Sequence, residues 1–201
     1  DVANGTHHRR LGQRRRGRHP GDLKTFSALG VYGCSAIVAL TAQNTRAVTA
    51  IHDVPAAFVT AQLDAVFSDI RVDAVKIGML SRPETIAAVA DGLVRWKPLH
   101  VVLDPVMVAK SGDRLLREEA VASLEERLLP LATLITPNLP EAAVLLGEEP
   151  IGEPRRMAGV AARLQGLGAR NVLLKGGHLA GGESPDLLLD EGEIYRLEAR
   201  R

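Results

Sequence analysis

Cysteine is almost absent from this chain: Cys34 stands alone, so no internal disulfide can form, and such usage fits a reducing cytoplasm. A single thiol reads first as a small buried hydrophobe. Aromatic residues are scarce as well, at 3% against an apolar total of 46%, which suits a layered core of Ala, Val and Leu. No apolar run approaches the ~20 residues of a membrane-spanning helix, so the sequence reads as a soluble chain without a membrane partner. The pattern GxxxxGK[ST] does not occur, which excludes a P-loop enzyme. No repeat recurs at the 20–50-residue spacing typical of solenoids, and no low-complexity linker follows residue 21.

What is present begins with an uneven charge. The net charge of +1 hides a basic head: residues 1–21 carry Arg9, Arg10, Arg14, Arg15, Arg16 and Arg18 against Asp1 alone. The rest of the chain is mildly acidic. A basic arm can bind nucleic acid, which would make binding strongly salt-dependent. The head has no serine and no amphipathic apolar face, which argues against a transit peptide. At 201 residues the chain is long enough for one sizeable α/β domain. The expected division is a head over residues 1–21 without fixed structure and a folded domain over 22–201.

Beyond the head, short apolar runs alternate with amphipathic stretches. Asp22 to Gly30 reads as a helix with Leu23, Phe26 and Leu29 on one side and Gly30 at its stop. Cys34–Leu40 and Val48–Ile51 read as strands, and Pro55–Phe67 as a helix with Phe58, Leu63, Val66 and Phe67 toward the core. The alternation then continues. Strands are expected over Ala74–Ile77, His100–Leu103, Ala132–Ile135 and Asn171–Leu174. Helices are expected over Pro83–Trp96, Glu118–Leu129, Leu139–Leu146 and 154–167. A closing hairpin is expected around Asp190-Glu191-Gly192. Strands of this length alternating with helices predict βαβ units, a mostly parallel sheet and helices on both faces.

The functional signal lies in where polar residues fall. Gln43, Met79, Asp104, Asn138 and Lys175 each follow the carboxyl end of an expected strand, the edge where open parallel sheets bind ligands. Singly, each has an ordinary reading as a turn former or a solvated loop group. In Thr136-Pro137-Asn138-Leu139-Pro140-Glu141, Asn138 and Glu141 stand three apart at a helix start, on about the same face, which also fits an ordinary helix start with a solvated Glu. Together, an acid, an Asn/Glu pair and Lys175-Gly176-Gly177 on one edge suit a nucleotide with its metal. Phosphoryl transfer asks for charge, a carboxylate-held metal and positioning rather than covalent help.

Six stretches then carry a resemblance. They are Asp22-Leu23-Lys24-Thr25-Phe26-Ser27-Ala28-Leu29-Gly30, Ala42-Gln43-Asn44-Thr45 and Lys76-Ile77-Gly78-Met79-Leu80, followed by Asp104-Pro105-Val106-Met107, Thr136-Pro137-Asn138-Leu139-Pro140-Glu141-Ala142 and Lys175-Gly176-Gly177-His178. In order and spacing they resemble hydroxymethylpyrimidine/phosphomethylpyrimidine kinase of thiamine biosynthesis. The resemblance implies a ribokinase-like three-layer αβα sandwich, incomplete at both ends. It implies ATP-dependent phosphorylation of 4-amino-5-hydroxymethyl-2-methylpyrimidine and its monophosphate, with Mg²⁺, in the cytoplasm, and allows a homo-oligomer. Gln43 then reads the pyrimidine edge, with Asp22 and Met79 in the same pocket. Asp104, Asn138, Lys175 and Gly176 serve phosphate and nucleotide, and Glu141 holds Mg²⁺ through water. The alternatives are a pyridoxal-type kinase of the same superfamily and a remnant that binds ligand without turnover.

The sequence departs from the family pattern twice. The Gly-Thr-Gly-Cys-type loop, whose backbone N–H groups stabilise the transferring phosphoryl, does not occur, so weakened activity is expected. The family also carries a first strand and glycine loop of the kind T-I-A-G-S-D-S-G-G-G-A-G-I-Q-A before its D-L-K-T-F. Written in GC-rich codons and read one base out of frame, that peptide gives His7 through Gly21 residue for residue. The head is therefore expected to be a frameshifted reading of that segment, with the frame restored at Asp22. This reading displaces the nucleic-acid arm.

Overall fold

The computed structural model describes residues 18–44, 48–107, 116, 118–177 and 185–198. Most of the head, the 110–113 loop and His178 lie outside the described residues. Helix α1 (Arg18–Ala28) opens the structure, ahead of the expected start at Asp22, and ends before Gly30, whose φ of +72° takes the left-handed turn. Strands β1 (Ala39–Gln43) and β2 (Val48–Asp53) pair antiparallel and, among the described residues, form a separate two-stranded sheet. The remainder follows as α2 (Ala56–Asp69), β3 (Ala74–Ile77), α3 (Pro83–Trp96), β4 (His100–Leu103), α4 (Glu118–Arg127), β5 (Leu134–Ile135), α5 (Leu139–Leu146), α6 (Met157–Gln165), β6 (Asn171–Leu174), β7 (Asp186–Asp190) and β8 (Glu193–Leu197).

The central sheet runs β3-β4-β5-β6-β7-β8, parallel as far as β6 and antiparallel beyond. Register lines Ile77, Leu103, Ile135, Val172 and Leu189 across one face, and all five are buried. The opposite face carries Lys76, Val102, Leu134, Leu173 and Leu188, all half-buried. Consecutive parallel strands joined by right-handed crossovers place their connecting helices on a single face, which accounts for the difference. Helix α1 belongs to the other face: Lys76 donates to Asp22 Oδ2 at 2.6 Å, tying the helix to β3. The β7–β8 turn uses Glu191 and Gly192 at φ of 49° and 91°, the two positive values of a tight two-residue hairpin.

Several expectations are corrected. The apolar run at Cys34 becomes a strand only from Ala39 onward. Before that, Gln62 on α2 serves as the hydrogen-bonding partner, accepting from Ile37 N–H at 2.8 Å and donating to Ile37 C=O at 2.9 Å. Phe58 is 61% exposed, while Val59 and Leu63 form the buried stripe of α2. Two helices are shorter than expected and adjoin 3₁₀ turns. Pro130 lies in a 3₁₀ turn over Leu129–Leu131 after α4, and Pro154 opens another over Pro154–Arg156 before α6. Strand β5 keeps only Leu134 and Ile135 as ladder residues.

Candidate active site

Neighbouring parallel strands β3, β4, β5 and β6 end at one edge, and the sequence sets Met79, Asp104, Asn138 and Lys175 just beyond those ends. Asp104 is 7% exposed. Its Oδ1 accepts from Lys175 Nζ at 2.9 Å and from the Thr136 hydroxyl at 3.2 Å. A carboxylate this buried is tolerable because it has an ammonium and a hydroxyl against it. Thr136, following β5, was not singled out from the sequence as a site residue. Only the strand order places it between Asp104 after β4 and Lys175 after β6.

Asn138 and Glu141 form a complete capping box at the start of α5. Asn138 Oδ1 accepts from Glu141 N–H and Glu141 Oε2 accepts from Asn138 N–H, both at 2.8 Å. Glu141 is fully buried. Asn138 also makes a parallel bridge to Lys175, whose N–H donates to Pro137 C=O at 2.9 Å. The cap and the lysine are thus coupled through backbone, and Asp104, Asn138, Glu141 and Lys175 form one group.

Gln43, Met79 and Asp22 lie on other segments of the chain, while Gly176 directly follows Lys175. Gln43 ends β1, which belongs to the separate two-stranded sheet rather than to the main sheet edge. That sheet is fastened at the far end of β2, where Asp53 accepts from Ser81 Oγ at 3.5 Å and Arg82 Nη1 at 3.2 Å. The fastening loop is the one that carries Met79, which is half-buried. Asp22, on α1, is paired with Lys76 of β3. Gly176 is buried, and its N–H donates to Asp186 Oδ1 at 2.9 Å. A nucleotide at Gly176 would therefore meet the rest of that turn and the Lys175 ammonium rather than this N–H. No sequence signal marks Asp186.

A metal on this edge has two nearby carboxylates, Asp104 and Glu141. Among the described residues no three acidic, His or Cys side chains converge. That donor set suits Mg²⁺ held mainly by water and substrate phosphates, with carboxylates in support, and does not suit an all-protein cage.

The profile of the family described as phosphomethylpyrimidine kinase matches residues 20–201. The chain belongs to this family. A hydroxymethylpyrimidine/phosphomethylpyrimidine kinase of Rhizobium meliloti is 60% identical over 180 residues, covering 90% of this chain and 67% of that protein. Among solved structures, phosphomethylpyrimidine kinase from Clostridium difficile superimposes with a TM-score of 0.83 at 45% identity, covering 90% of this chain and 77% of that one. An ADP complex of Bacillus subtilis pyridoxal kinase gives 0.81 at 35% identity, covering 89% and 68%. The fold is that of the ribokinase-like kinases, and the family is one of phosphotransferases that use ATP.

Proposed function

We propose that this chain carries the nucleotide-and-phosphate half of a site that phosphorylates 4-amino-5-hydroxymethyl-2-methylpyrimidine and its monophosphate with ATP. The observation that supports it most is the Asp104–Lys175 pair at 2.9 Å, joined through backbone to the Asn138–Glu141 box at one sheet edge. In this reading Lys175 moves its ammonium between Asp104 and the nucleotide phosphates, balancing their charge as it shifts. Asp104 keeps that ammonium aimed, and Thr136 fixes the carboxylate. Asn138 and Glu141 support a Mg²⁺ ion that would neutralise phosphate charge when bound. Gln43, on its separate sheet, offers an amide donor and acceptor to the aminopyrimidine edge, with Asp22 and Met79 bordering the pocket. The low cysteine content supports work in the cytoplasm.

The test measures binding and turnover separately. Nucleotide, pyrimidine alcohol and pyridoxal are each titrated by calorimetry, and ADP release is followed with the pyrimidine alcohol, its monophosphate and pyridoxal. The expected result is binding of nucleotide and of the pyrimidine, with pyridoxal the poorer ligand. A chain that binds neither nucleotide nor pyrimidine refutes the reading. A preference for pyridoxal would move the protein to the sister activity.

A further inference from the structure

We infer that Asp186 is a positioning residue for the nucleotide subsite, acting through the backbone turn at Lys175-Gly176. The inference rests on the kinase reading above and adds a residue to it. Strands β6 and β7 pair antiparallel in the register Val172–Leu189, Leu173–Leu188, Leu174–Leu187. One more step would set Lys175 opposite Asp186, but the ladder stops. Lys175 turns to the other side instead, donating its N–H to Pro137 C=O at 2.9 Å and bridging to Asn138. On the β7 side the carboxylate of Asp186 takes over the role of the missing backbone acceptor, receiving Gly176 N–H at 2.9 Å.

The substitution matters because Gly176 is buried. A buried N–H without an acceptor is costly, so the turn is held only while something accepts there. The turn in turn sets the origin of the Lys175 side chain, whose Nζ must reach Asp104 Oδ1 at 2.9 Å. Lys175 is consequently fixed from three other strands: by the Asp104 carboxylate after β4, by the Pro137 carbonyl after β5, and by Asp186 on β7 through the next residue. A carboxylate that has no contact with the ammonium thus decides where the ammonium starts.

The experiment compares the wild-type chain with Asp186→Ala and Asp186→Asn. It measures the affinity for a fluorescent ATP analogue with Mg²⁺, the nucleotide KM against kcat, and the hydrogen exchange of the Gly176 amide. Asp186→Ala should weaken nucleotide binding about 10-fold and raise KM more than it lowers kcat, with faster Gly176 exchange. Asp186→Asn retains an acceptor oxygen and should recover affinity to within roughly threefold of wild type. Where the alanine variant does not fold, Asp186→Ser replaces it, being polar but too short to reach. Unchanged affinity in Asp186→Ala, or an asparagine variant as weak as the alanine one, overturns the proposal alone. A wild-type chain that fails to bind the nucleotide overturns the kinase reading and this inference with it.

Discussion

Glu141 separates two roles that one carboxylate can hold, and a pair of substitutions distinguishes them. Its Oε2 accepts Asn138 N–H at 2.8 Å within a reciprocal capping box, and the residue is fully buried. Glutamine at this position in a capping box still offers an oxygen to the same N–H. Glu141→Gln should therefore change folding stability by no more than about 1 kcal/mol. Glu141→Ala removes the acceptor and leaves a helix-start N–H without it. The lost cap costs about 1 kcal/mol, and the stranded donor brings the total to roughly 2–3 kcal/mol. For a chain of this size that lowers Tm by roughly 4–12 °C. If Glu141 also supports Mg²⁺ through water, removing its charge should reduce MgATP turnover or affinity by roughly 10–100-fold in both variants, as loss of outer-sphere partners does. The glutamine variant then melts like wild type but handles MgATP poorly. Thermal melts and a Mg²⁺ titration of nucleotide binding read the two effects independently. A glutamine variant with wild-type MgATP behaviour would leave Glu141 a helix cap and nothing more, and one that melts as early as the alanine variant would refute the capping argument.

Three further outcomes are expected. Lys175→Met removes the ammonium beside the nearly buried Asp104; discounted for the 31% exposure of Lys175, it should cost about 1–2 kcal/mol and weaken nucleotide binding at least ~10-fold. The double variant with Asp104→Asn should recover the stability and not the binding, and parallel recovery of both would sink the assignment of Lys175 to phosphate. Asp64 joins α2 to α3: hydrogen bonds from Trp96 and Arg95 outweigh partial burial and hold its carboxyl below the ordinary value of 3.8. A depressed folded pKa gives stability that is present above the unfolded value and is lost as pH falls through the folded one. The Tm gap between wild type and Asp64→Asn should thus be constant at neutral pH and close in strong acid; a gap that persists there contradicts the linkage. Finally, we propose that residues 7–21 are an out-of-frame reading, and sequencing the coding DNA around the Asp22 codon should find a single-base slip that restores T-I-A-G-S-D-S-G-G-G-A-G-I-Q-A. An upstream sequence with no such frame ends the idea.

Much of this molecule was legible in one dimension because its signals are local. Ala74–Ile77, Pro83–Trp96, His100–Leu103, Leu139–Leu146 and Asn171–Leu174 match their expected spans, since apolar period, proline at a helix start and glycine at a helix end act within a few residues. The helix start at Asn138 is equally local and was legible, but the reciprocal capping box was not: the spacing of three fitted a solvated Glu141, whereas the residue is fully buried with its carboxylate on the Asn138 N–H. Order along the chain was enough to place Met79, Asp104, Asn138 and Lys175 beyond successive strand ends, because consecutive parallel strands are neighbours in space.

What the sequence left open depends on partners distant along the chain. The apolar run from Cys34 has strand composition, but a strand exists only where another backbone accepts it. At Ile37 the partner is the side chain of Gln62. Gln43 was expected beyond a strand end but is the last residue of β1, and pairing with β2 puts it on a separate two-stranded sheet. Phe58 has every local reason to be buried and is turned outward, because α2 presents Val59 and Leu63 to its neighbours. Thr136 reaches Asp104 across 32 residues, and Asp186 reaches Gly176 across a ladder that ends one step early. Residue types and spacing determined which elements form, which family the chain belongs to and which charges stand at the sheet edge. Only the folded sheet decided which of those charges meet, because a contact between strand ends is a property of register and neighbour order, and neither is written in any short stretch of the chain.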